Sequence, residues 1–209
     1  NGRHTLNSTP SIFAGTRFAT NLYFRKYNHI MSGNIFIVLE GIDGSGKSSV
    51  SKELALHTDA LYYRCPPRIL TPLRNTADSS PYYTRYLYYL IGNYIAQREI
   101  RKLLTHTGVV CDWYVYSTIA YHSVLLNKQL RIPTILIPDK LFYLYATTEQ
   151  ISKRLNERGS QSKFENLAFL ERVKHKYEEL LEHCPNVVRI DTTNKPVHIT
   201  VNELLQKMG

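Results

Sequence analysis

Short apolar runs alternate with helical periodicities along the chain from about residue 34. Runs of the kind that form buried strands lie at 34–39, 60–63, 108–112, 140–146 and 187–190. Amphipathic stretches that predict helices lie at 48–56, 82–106, 117–126, 149–157, 165–183 and 197–208. Since strands alternate with helices, the pattern predicts an α/β fold in which a doubly wound, five-stranded parallel sheet is covered by helices on both faces.

Proline and glycine mark the breaks in this pattern. Cys65-Pro66-Pro67 stops the second strand, and the segment from there to Pro81 is predicted to be a loop. Gly159 ends a helix that Thr147 and Thr148 cap, and the polar link at 160–163 predicts a short lid. The length of 209 residues suits one core domain, predicted at 31–209, after an extension at 1–30.

A glycine-rich octapeptide, GIDGSGKS at 41–48, fills every fixed position of the phosphate-binding pattern G-x-x-x-x-G-K-[ST]. It lies between a predicted strand and a predicted helix, as a P-loop must. Its glycines let backbone N–H groups surround a polyphosphate, Lys47 reaches the β- and γ-phosphates, and the Ser48 hydroxyl ligates Mg²⁺. The residues expected to bind this cofactor are Gly41, Asp43, Gly44, Ser45, Gly46, Lys47, Ser48 and Ser49. We therefore predict a P-loop NTPase fold, three-layer α/β/α, that binds ATP with Mg²⁺; the alternative is a chance glycine turn.

A carboxylate, Asp112, ends the third predicted strand. In an open parallel sheet, ligands gather at the carboxyl ends of the strands, so Asp112 and the loop at 41–48 are expected to face one site. There Asp112 can hold a magnesium-bound water or orient a basic partner. The alternative is an ordinary turn residue at a strand end.

The charge of the chain is unevenly distributed. No Asp or Glu precedes Glu40, whereas Arg3, Arg17, Arg25 and Lys26 do, and they supply four of the formal +9 charges. The remaining excess suits a cleft that handles phosphates, so no nucleic-acid partner is expected.

The three cysteines are widely spaced and odd in number, which argues against a disulfide framework or a zinc site. No apolar run is long enough for a transmembrane segment.

The acid-free residues 1–30 have the composition of a mitochondrial transit peptide, and Met31 is a plausible start of the core. We therefore expect a location in the mitochondrial matrix, or in the cytoplasm if this segment does not direct targeting. The alternatives are a basic arm that docks on a partner and a disordered extension.

Three segments carry a resemblance to a known family: 36–48 with its carboxylate Asp43, VCDWYVYSTIAY at 110–121, and the lid region at 157–159 with 164–173. They resemble the thymidylate-kinase-like branch of the nucleoside monophosphate kinases, over about residue 34 to the C-terminus. Within that branch, the segments at 65–67 and 88–96 are closer to mitochondrial UMP-CMP kinase 2. Ordinary thymidylate kinases usually have an arginine where Tyr94 stands.

The resemblance implies phosphorylation of a pyrimidine nucleoside monophosphate, namely dTMP, UMP, dUMP, CMP or dCMP, by ATP. The implied catalytic residues are Lys47, Asp112, Arg154 and Arg158, the two arginines lying four apart on one helix face. The candidates for contact with the acceptor are Asp43 (ribose hydroxyl), Tyr94 and Tyr121 (base), and Arg98 (monophosphate). Core packing of the tyrosines and solvation of the arginines are the alternatives.

One departure from the family concerns catalysis directly. Trp113 follows Asp112 where the family has an arginine that is thought to bridge the donor and acceptor phosphates. Loss of such an arginine can lower turnover by orders of magnitude, and Lys163 is a poorer clamp than the arginine often found in the lid. The sequence therefore leaves two hypotheses: an active kinase, free or homodimeric, or a nucleotide-binding accessory subunit of a larger mitochondrial complex.

Overall fold

The structure, a computed structural model, describes residues 34–159, 166–182, 184 and 186–208. Five strands lie within these residues: β1 Phe36–Glu40, β2 Leu61–Arg64, β3 Val109–Asp112, β4 Lys140–Tyr145 and β5 Val187–Asp191. The extension at 1–30, Met31, the lid link at 160–163 with Lys163, and the adjoining Phe164 and Glu165 lie outside the described residues.

The strands form one parallel sheet in the order β2-β3-β1-β4-β5, with β1 in its centre. All five residues of β1 are buried, which explains its continuous apolar run, because helices cover both faces of a doubly wound sheet. Leu39 pairs with Asp112 of β3, and Glu40 pairs with Tyr143 of β4. The predicted five-stranded α/β architecture is therefore confirmed, and Asp112 lies at the same edge of the sheet as the loop that follows β1.

The helices are α1 Lys47–His57, α2 Arg74–Ser79, α3 Tyr82–Leu103, α4 Val115–Leu126, α5 Thr148–Glu157, α6 Leu167–Leu181 and α7 Val197–Met208. Helix α1 packs on α7 and on β2 and β3. Helix α4 packs between α3 and α6. These two groups supply the outer layers of the three-layer fold.

The prediction of a loop up to Pro81 is wrong for most of its length. A 3₁₀ helix, Arg68–Leu73, and helix α2 fill this segment. In a sequence, a proline at an N-cap looks the same as a proline that breaks an element. Pro67 and Pro81 instead occupy the N-cap positions of the 3₁₀ helix and of α3, where a missing N–H costs little. The other predicted elements occur, and their ends differ from the predicted ones by at most three residues.

The cap of helix α5 agrees with its sequence. Thr147 stands at the N-cap, and its hydroxyl accepts a hydrogen bond of 3.3 Å from the N–H of Gln150. Gly159 follows the helix with a φ of 64°, a conformation that glycine adopts at little cost. Within the described part of the chain, no helix is both long and apolar enough to cross a bilayer.

Candidate functional site

The glycines of the loop at 41–48 are required by its backbone. Gly41, Gly44 and Gly46 have φ values of 148°, 83° and 89°. A Cβ on Gly41 would lie 2.3 Å from the carbonyl oxygen of Leu144, so any side chain there would displace β4. The loop runs directly into helix α1, whose first residue is Lys47. Its N–H groups thus converge on the positive end of a helix dipole, an arrangement suited to a phosphate.

Lys47 is buried, with 6% of its surface exposed. Its ammonium donates a hydrogen bond of 3.1 Å to the carbonyl oxygen of Ile42 and lies 3.6 Å from Oδ1 of Asp43. To reach a nucleotide, the ammonium has to exchange these loop oxygens for phosphate oxygens. Ser48 is partly buried and Ser49 is exposed on the first turn of α1.

Asp43 is held by Tyr121 of helix α4. The N–H of Asp43 donates to the Tyr121 hydroxyl at 2.9 Å, and that hydroxyl donates to Oδ2 of Asp43 at 3.0 Å. Burial, followed by the charge of Asp43, raises the pKa of Tyr121 well above its usual value. The Tyr121 hydroxyl therefore fixes the carboxylate of the loop, and contact of Tyr121 with the acceptor base stays a prediction.

Asp112 is buried at the end of β3. Its Oδ2 accepts a hydrogen bond of 3.0 Å from the Tyr62 hydroxyl, and its Oδ1 is buried with no hydrogen-bond partner among the described residues. An orphaned carboxylate oxygen needs a partner, and a metal-bound water can provide one.

The donor set at this edge fits Mg²⁺. In kinases Mg²⁺ takes one or two protein ligands and otherwise phosphates and water. The Ser48 hydroxyl and the free oxygen of Asp112 are such ligands. Across the described ranges no group of three or more His, Cys, Asp or Glu could hold a metal by itself. A metal bound here would therefore come with its nucleotide.

Trp113 directly follows strand β3 and has an unusual backbone conformation. Its φ is 72°, in the left-handed region that bulky residues rarely adopt, and its N–H donates to the Leu39 carbonyl at 3.2 Å. Its ring centroid lies 5.0 Å from that of Tyr89 and 6.4 Å from that of Tyr121. Tyr121 in turn lies 6.0 Å from Phe169 of α6. These rings form an aromatic row from α3 to α6, in which Trp113 and Phe169 are the partly exposed members.

Arg154 connects the phosphate loop to the residue that follows β5, an edge strand of the sheet. Its guanidinium donates to the Gly44 carbonyl at 3.1 Å and, through both Nη atoms, to the hydroxyl and carbonyl of Thr192 at 3.0 and 2.6 Å. The Thr192 hydroxyl also lies 2.9 Å from the Ser45 carbonyl oxygen. Arg154 therefore clamps the loop, and its role as a cation over the transferring phosphates stays a prediction. Arg158, one turn later, is exposed.

Tyr94 and Arg98 lie on the exposed side of helix α3, with Tyr94 39% exposed. The structure does not bring either of them into contact with the loop. Their neighbour Asn93 is wholly buried instead, where its amide donates to the Thr118 hydroxyl at 2.6 Å and accepts from the Cys65 thiol at 3.3 Å. Asn93 thus connects helix α3 with helix α4 and with the segment that follows β2.

Two features of the site were missed by reasoning from the sequence. The first is a buried cluster around Glu40, in which the Tyr114 N–H donates to Oε1 at 3.1 Å while the hydroxyls of Ser117 and Tyr177 donate to Oε2. Burial raises the pKa of this carboxyl to about 7. The signal was present, because Glu40 ends an apolar strand just as Asp112 does.

The second is Arg68, an exposed cation at the first position of the 3₁₀ helix. The preceding Cys65 donates its N–H to the Asp112 carbonyl at 3.2 Å, so this segment begins at the carboxyl edge of the sheet. A guanidinium there suits a phosphate group. Because the sequence predicts a loop at this point, nothing in it marks Arg68 as a site residue.

Comparisons with known proteins agree with this geometry. The sequence model of the thymidylate kinase family matches residues 39–204. A probable thymidylate kinase from Methanocaldococcus jannaschii is 36% identical over 184 residues, covering 84% of this chain and 96% of that protein. A thymidylate kinase from Leptospira interrogans is 32% identical, with 82% of this chain and 92% of that protein covered.

Solved structures share the fold. A thymidylate kinase from Candida albicans aligns with a TM-score of 0.69 at 21% identity, over 84% of this chain and 91% of that one. A deoxyadenosine kinase from M. mycoides aligns with a TM-score of 0.66 at 16% identity, over 83% and 98%. At these identities the likeness concerns the fold alone.

Proposed function

Because the chain belongs to the thymidylate kinase family, we propose that it transfers the γ-phosphoryl group of ATP to a pyrimidine nucleoside monophosphate, with dTMP as the first acceptor. The relatives support phosphorylation of a nucleoside monophosphate and, most specifically, of dTMP. The observation that carries the proposal is the filled phosphate loop, whose carboxylate Asp43 and buried neighbour Asp112 face the same edge of the sheet.

Phosphoryl transfer requires positioning and neutralisation of charge more than covalent participation by the protein. The Lys47 ammonium and the N–H groups at the start of α1 supply positive charge to the donor phosphates. Asp43, fixed by Tyr121, offers a rigid acceptor for a sugar hydroxyl of the monophosphate. Mg²⁺, held by Ser48 and through Asp112, supplies further neutralisation of the β- and γ-phosphates.

The arginines divide this work. Arg154 keeps the loop in shape by bonding to Gly44 and Thr192, so it acts as a positioning residue. Arg158 is exposed and free to turn toward the transferring phosphoryl group. Arg68 stands on the segment beside Asp112 and suits the acceptor phosphate. Arg158 and Arg68 are the cations proposed to supply charge that Trp113 does not.

The acceptor range is the finer part of the proposal. Ordinary thymidylate kinases usually have an arginine where this chain has Tyr94. We therefore expect this chain to recognise the base differently from those enzymes, as in the UMP-CMP kinase 2 type. UMP, dUMP, CMP and dCMP therefore belong in the test beside dTMP.

A coupled assay with ATP-Mg²⁺ and each of the five monophosphates tests the proposal. We expect ADP formation that depends on the monophosphate, with a rate at least about 100-fold above that of Lys47→Ala, because the lysine neutralises charge in the transition state. Rates equal to that variant with all five acceptors would refute kinase activity.

Trp113 favours a second candidate, a subunit that binds the nucleotide without turning it over inside a larger mitochondrial complex. It predicts ATP binding with no transfer, and co-migration of the native protein with a large assembly. Migration only as a monomer or small homodimer would exclude it.

The location is also proposed from residues 1–30, whose lack of acidic residues suits mitochondrial import. Imaging of the chain fused to a fluorescent protein, with and without those residues, tests it. Matrix signal that is lost on their removal is expected, and cytoplasmic signal from both fusions would contradict it.

A further inference from the structure

Glu40 is a wholly buried carboxyl group that the proposed transfer does not use. It closes β1 and directly precedes Gly41, the first residue of the phosphate loop. Its two oxygens accept hydrogen bonds from the Tyr114 N–H and from the hydroxyls of Ser117 and Tyr177. A buried carboxyl this well supplied with donors can exist in either protonation state.

Tyr177 connects this cluster to helix α6. Its hydroxyl oxygen lies 2.5 Å from Oγ of Ser117, 3.3 Å from Oε2 of Glu40 and 3.4 Å from the carbonyl oxygen of Gly41. A phenol carries one proton, so it can donate to only one of these acceptors at a time. Which acceptor receives that proton decides whether α6 is bonded to the phosphate loop.

The protonation state of Glu40 decides the direction of these bonds. When the carboxyl is ionised, Ser117 donates its proton to it, Tyr177 donates either to the carboxylate or to Ser117, and the Gly41 carbonyl receives no proton. When the carboxyl is protonated, it donates to Ser117, Ser117 donates to Tyr177, and Tyr177 is left to donate to Gly41. One proton on Glu40 therefore creates a hydrogen bond between α6 and the first residue of the loop.

The charge near Glu40 changes when a nucleotide binds. Burial raises the pKa of Glu40 to about 7, while hydrogen bonds from Ser117 and the charge of Lys47 oppose that rise. The titratable groups that face this cluster are Lys47 from α1, Cys65 from the segment after β2, Cys111 from β3, Tyr114 at the N-cap of α4, Tyr116 and Tyr121 from α4, Tyr143 from β4, and Tyr177 from α6. Lys47 is the one cation in this set. Phosphates that neutralise it remove the support for the ionised form.

We propose that Glu40, Ser117 and Tyr177 are positioning residues that take up a proton when a nucleoside triphosphate fills the loop, and that this proton bonds helix α6 to Gly41. The inference rests on the triphosphate binding of the proposed function and does not require transfer. Its consequence is that nucleotide occupancy is communicated to the helix that follows residues 160–165.

Titration calorimetry with β,γ-imido-ATP and Mg²⁺, in buffers of different ionisation enthalpy between pH 6 and 8.5, measures the protons taken up on binding. Since the analogue can itself exchange protons, the whole chain is compared with Glu40→Gln, which keeps the shape of the side chain and cannot titrate. At pH 7 the wild type is expected to take up more protons per bound analogue than Glu40→Gln, by up to about 0.5, the limit that linkage sets for a group that starts about half protonated. The difference should fall toward zero at pH 6, where Glu40 is already mostly protonated before the analogue binds.

A second variant keeps the test decisive if Glu40→Gln fails to fold. Tyr177→Phe removes a hydrogen bond that lowers the pKa of Glu40, so the pH of greatest proton uptake should move upward. Tyr143→Phe is the matched control, because the Tyr143 ring lies with its centroid 5.1 Å from that of Tyr177 and its buried hydroxyl has no hydrogen-bond partner in the described part of the chain. It should leave the uptake profile unchanged.

The outcomes separate the two proposals. Binding with equal proton uptake in wild type and Glu40→Gln, or an unshifted profile in Tyr177→Phe, overturns the proton link and leaves the kinase proposal standing. No binding of the analogue by the wild type overturns both.

Discussion

Trp113 combines a left-handed φ with a ring that packs on Tyr89 and Tyr121. Non-glycine residues in this region are held there by their surroundings, and they cluster at functional sites. The backbone N–H is fixed by Leu39, whereas the side chain is partly exposed at the phosphate edge. At this position tryptophan supplies an aromatic ring that packs on its neighbours and carries no charge.

The first prediction follows from that position. Trp113→Arg should raise kcat with dTMP by at least about 10-fold, because a guanidinium at this point can neutralise the transferring phosphoryl group. Trp113→Phe is the control, since it keeps a ring and adds no charge, and it should not exceed the wild type. Initial rates at saturating ATP and dTMP measure both. A Trp113→Arg rate at or below that of the wild type would show that the charge is already supplied from elsewhere.

The second prediction concerns His122, whose Nδ1 bonds to the Thr118 carbonyl at 2.7 Å and whose Nε2 is buried without a partner among the described residues. Burial lowers the pKa of His122 from 6.5 to about 4. A group with a lowered pKa contributes stability above its unfolded value, and that contribution is lost as the pH falls through the folded value. Between about pH 6.5 and 4, His122→Phe should therefore lose less folding free energy than the wild type, by about 3 kcal/mol.

Denaturant unfolding at pH 7, 5.5 and 4 measures this effect. His106→Asn is the control, because His106 is exposed, and it should keep the acid sensitivity of the wild type. Parallel stability curves for wild type and His122→Phe would contradict the assignment.

Among the elements, the connection between α5 and the phosphate loop governs the shape of the donor site. Arg154 bonds to Gly44 and Thr192, and Thr192 bonds to Ser45, so the loop is held by a helix and by the turn after β5. The charge-assisted bonds of a partly buried guanidinium are stronger than neutral ones.

The third prediction is that Arg154→Gln raises the KM for ATP by about 10-fold and lowers the free energy of unfolding by about 1–3 kcal/mol, as loss of charge-assisted hydrogen bonds does. Arg158→Gln is the matched control on the same helix, since its side chain is exposed, and it should lower kcat while leaving stability unchanged. Kinetics and denaturant unfolding of both variants distinguish the two roles. Equal stability of the two variants would exclude a clamp at Arg154.

The elements also show where the sequence suffices for prediction. The inner strands β1, β3 and β4 could be predicted because they are mostly buried on both faces and so form apolar runs, whereas the edge strands β2 and β5 are only partly buried. The segment at 66–81 was missed, because a proline at an N-cap looks the same in the sequence as a proline that ends a helix. The contact of Arg154 with Thr192 joins residues 38 positions apart, and no local pattern reports such a contact.

The same reasoning applies to the site. Lys47, Asp43 and Asp112 could be predicted, because the loop motif and the strand order bring them to one edge. The use of the Tyr121 hydroxyl by Asp43 could not, since it depends on where α4 crosses the loop.

For the whole molecule, the sheet order β2-β3-β1-β4-β5 brings the ends of β1 and β3 side by side, and every proposed step takes place there. Helix α4 begins at this edge and packs on α3 and α6. A ligand bound to the loop therefore affects elements from both halves of the chain, and it should stabilise the whole fold.

The fourth prediction is that ATP-Mg²⁺ stabilises the folded chain. At about 100 times its Kd, a ligand that binds only the folded state adds about 2.7 kcal/mol. Thermal unfolding with and without ATP-Mg²⁺ should show a rise in Tm for the wild type and little for Lys47→Ala. An equal rise in both proteins would place the nucleotide somewhere other than the phosphate loop.

Detection of the product tests transfer itself most directly. ATP-Mg²⁺ and dTMP are incubated with the wild type or with Lys47→Ala, and all nucleotides are then resolved by ³¹P NMR. We predict that the wild type forms ADP and dTDP in equal amounts and that Lys47→Ala forms neither above background. Bound ATP without dTDP, or ADP released together with inorganic phosphate alone, would contradict the assignment of this chain as an active nucleoside monophosphate kinase for dTMP.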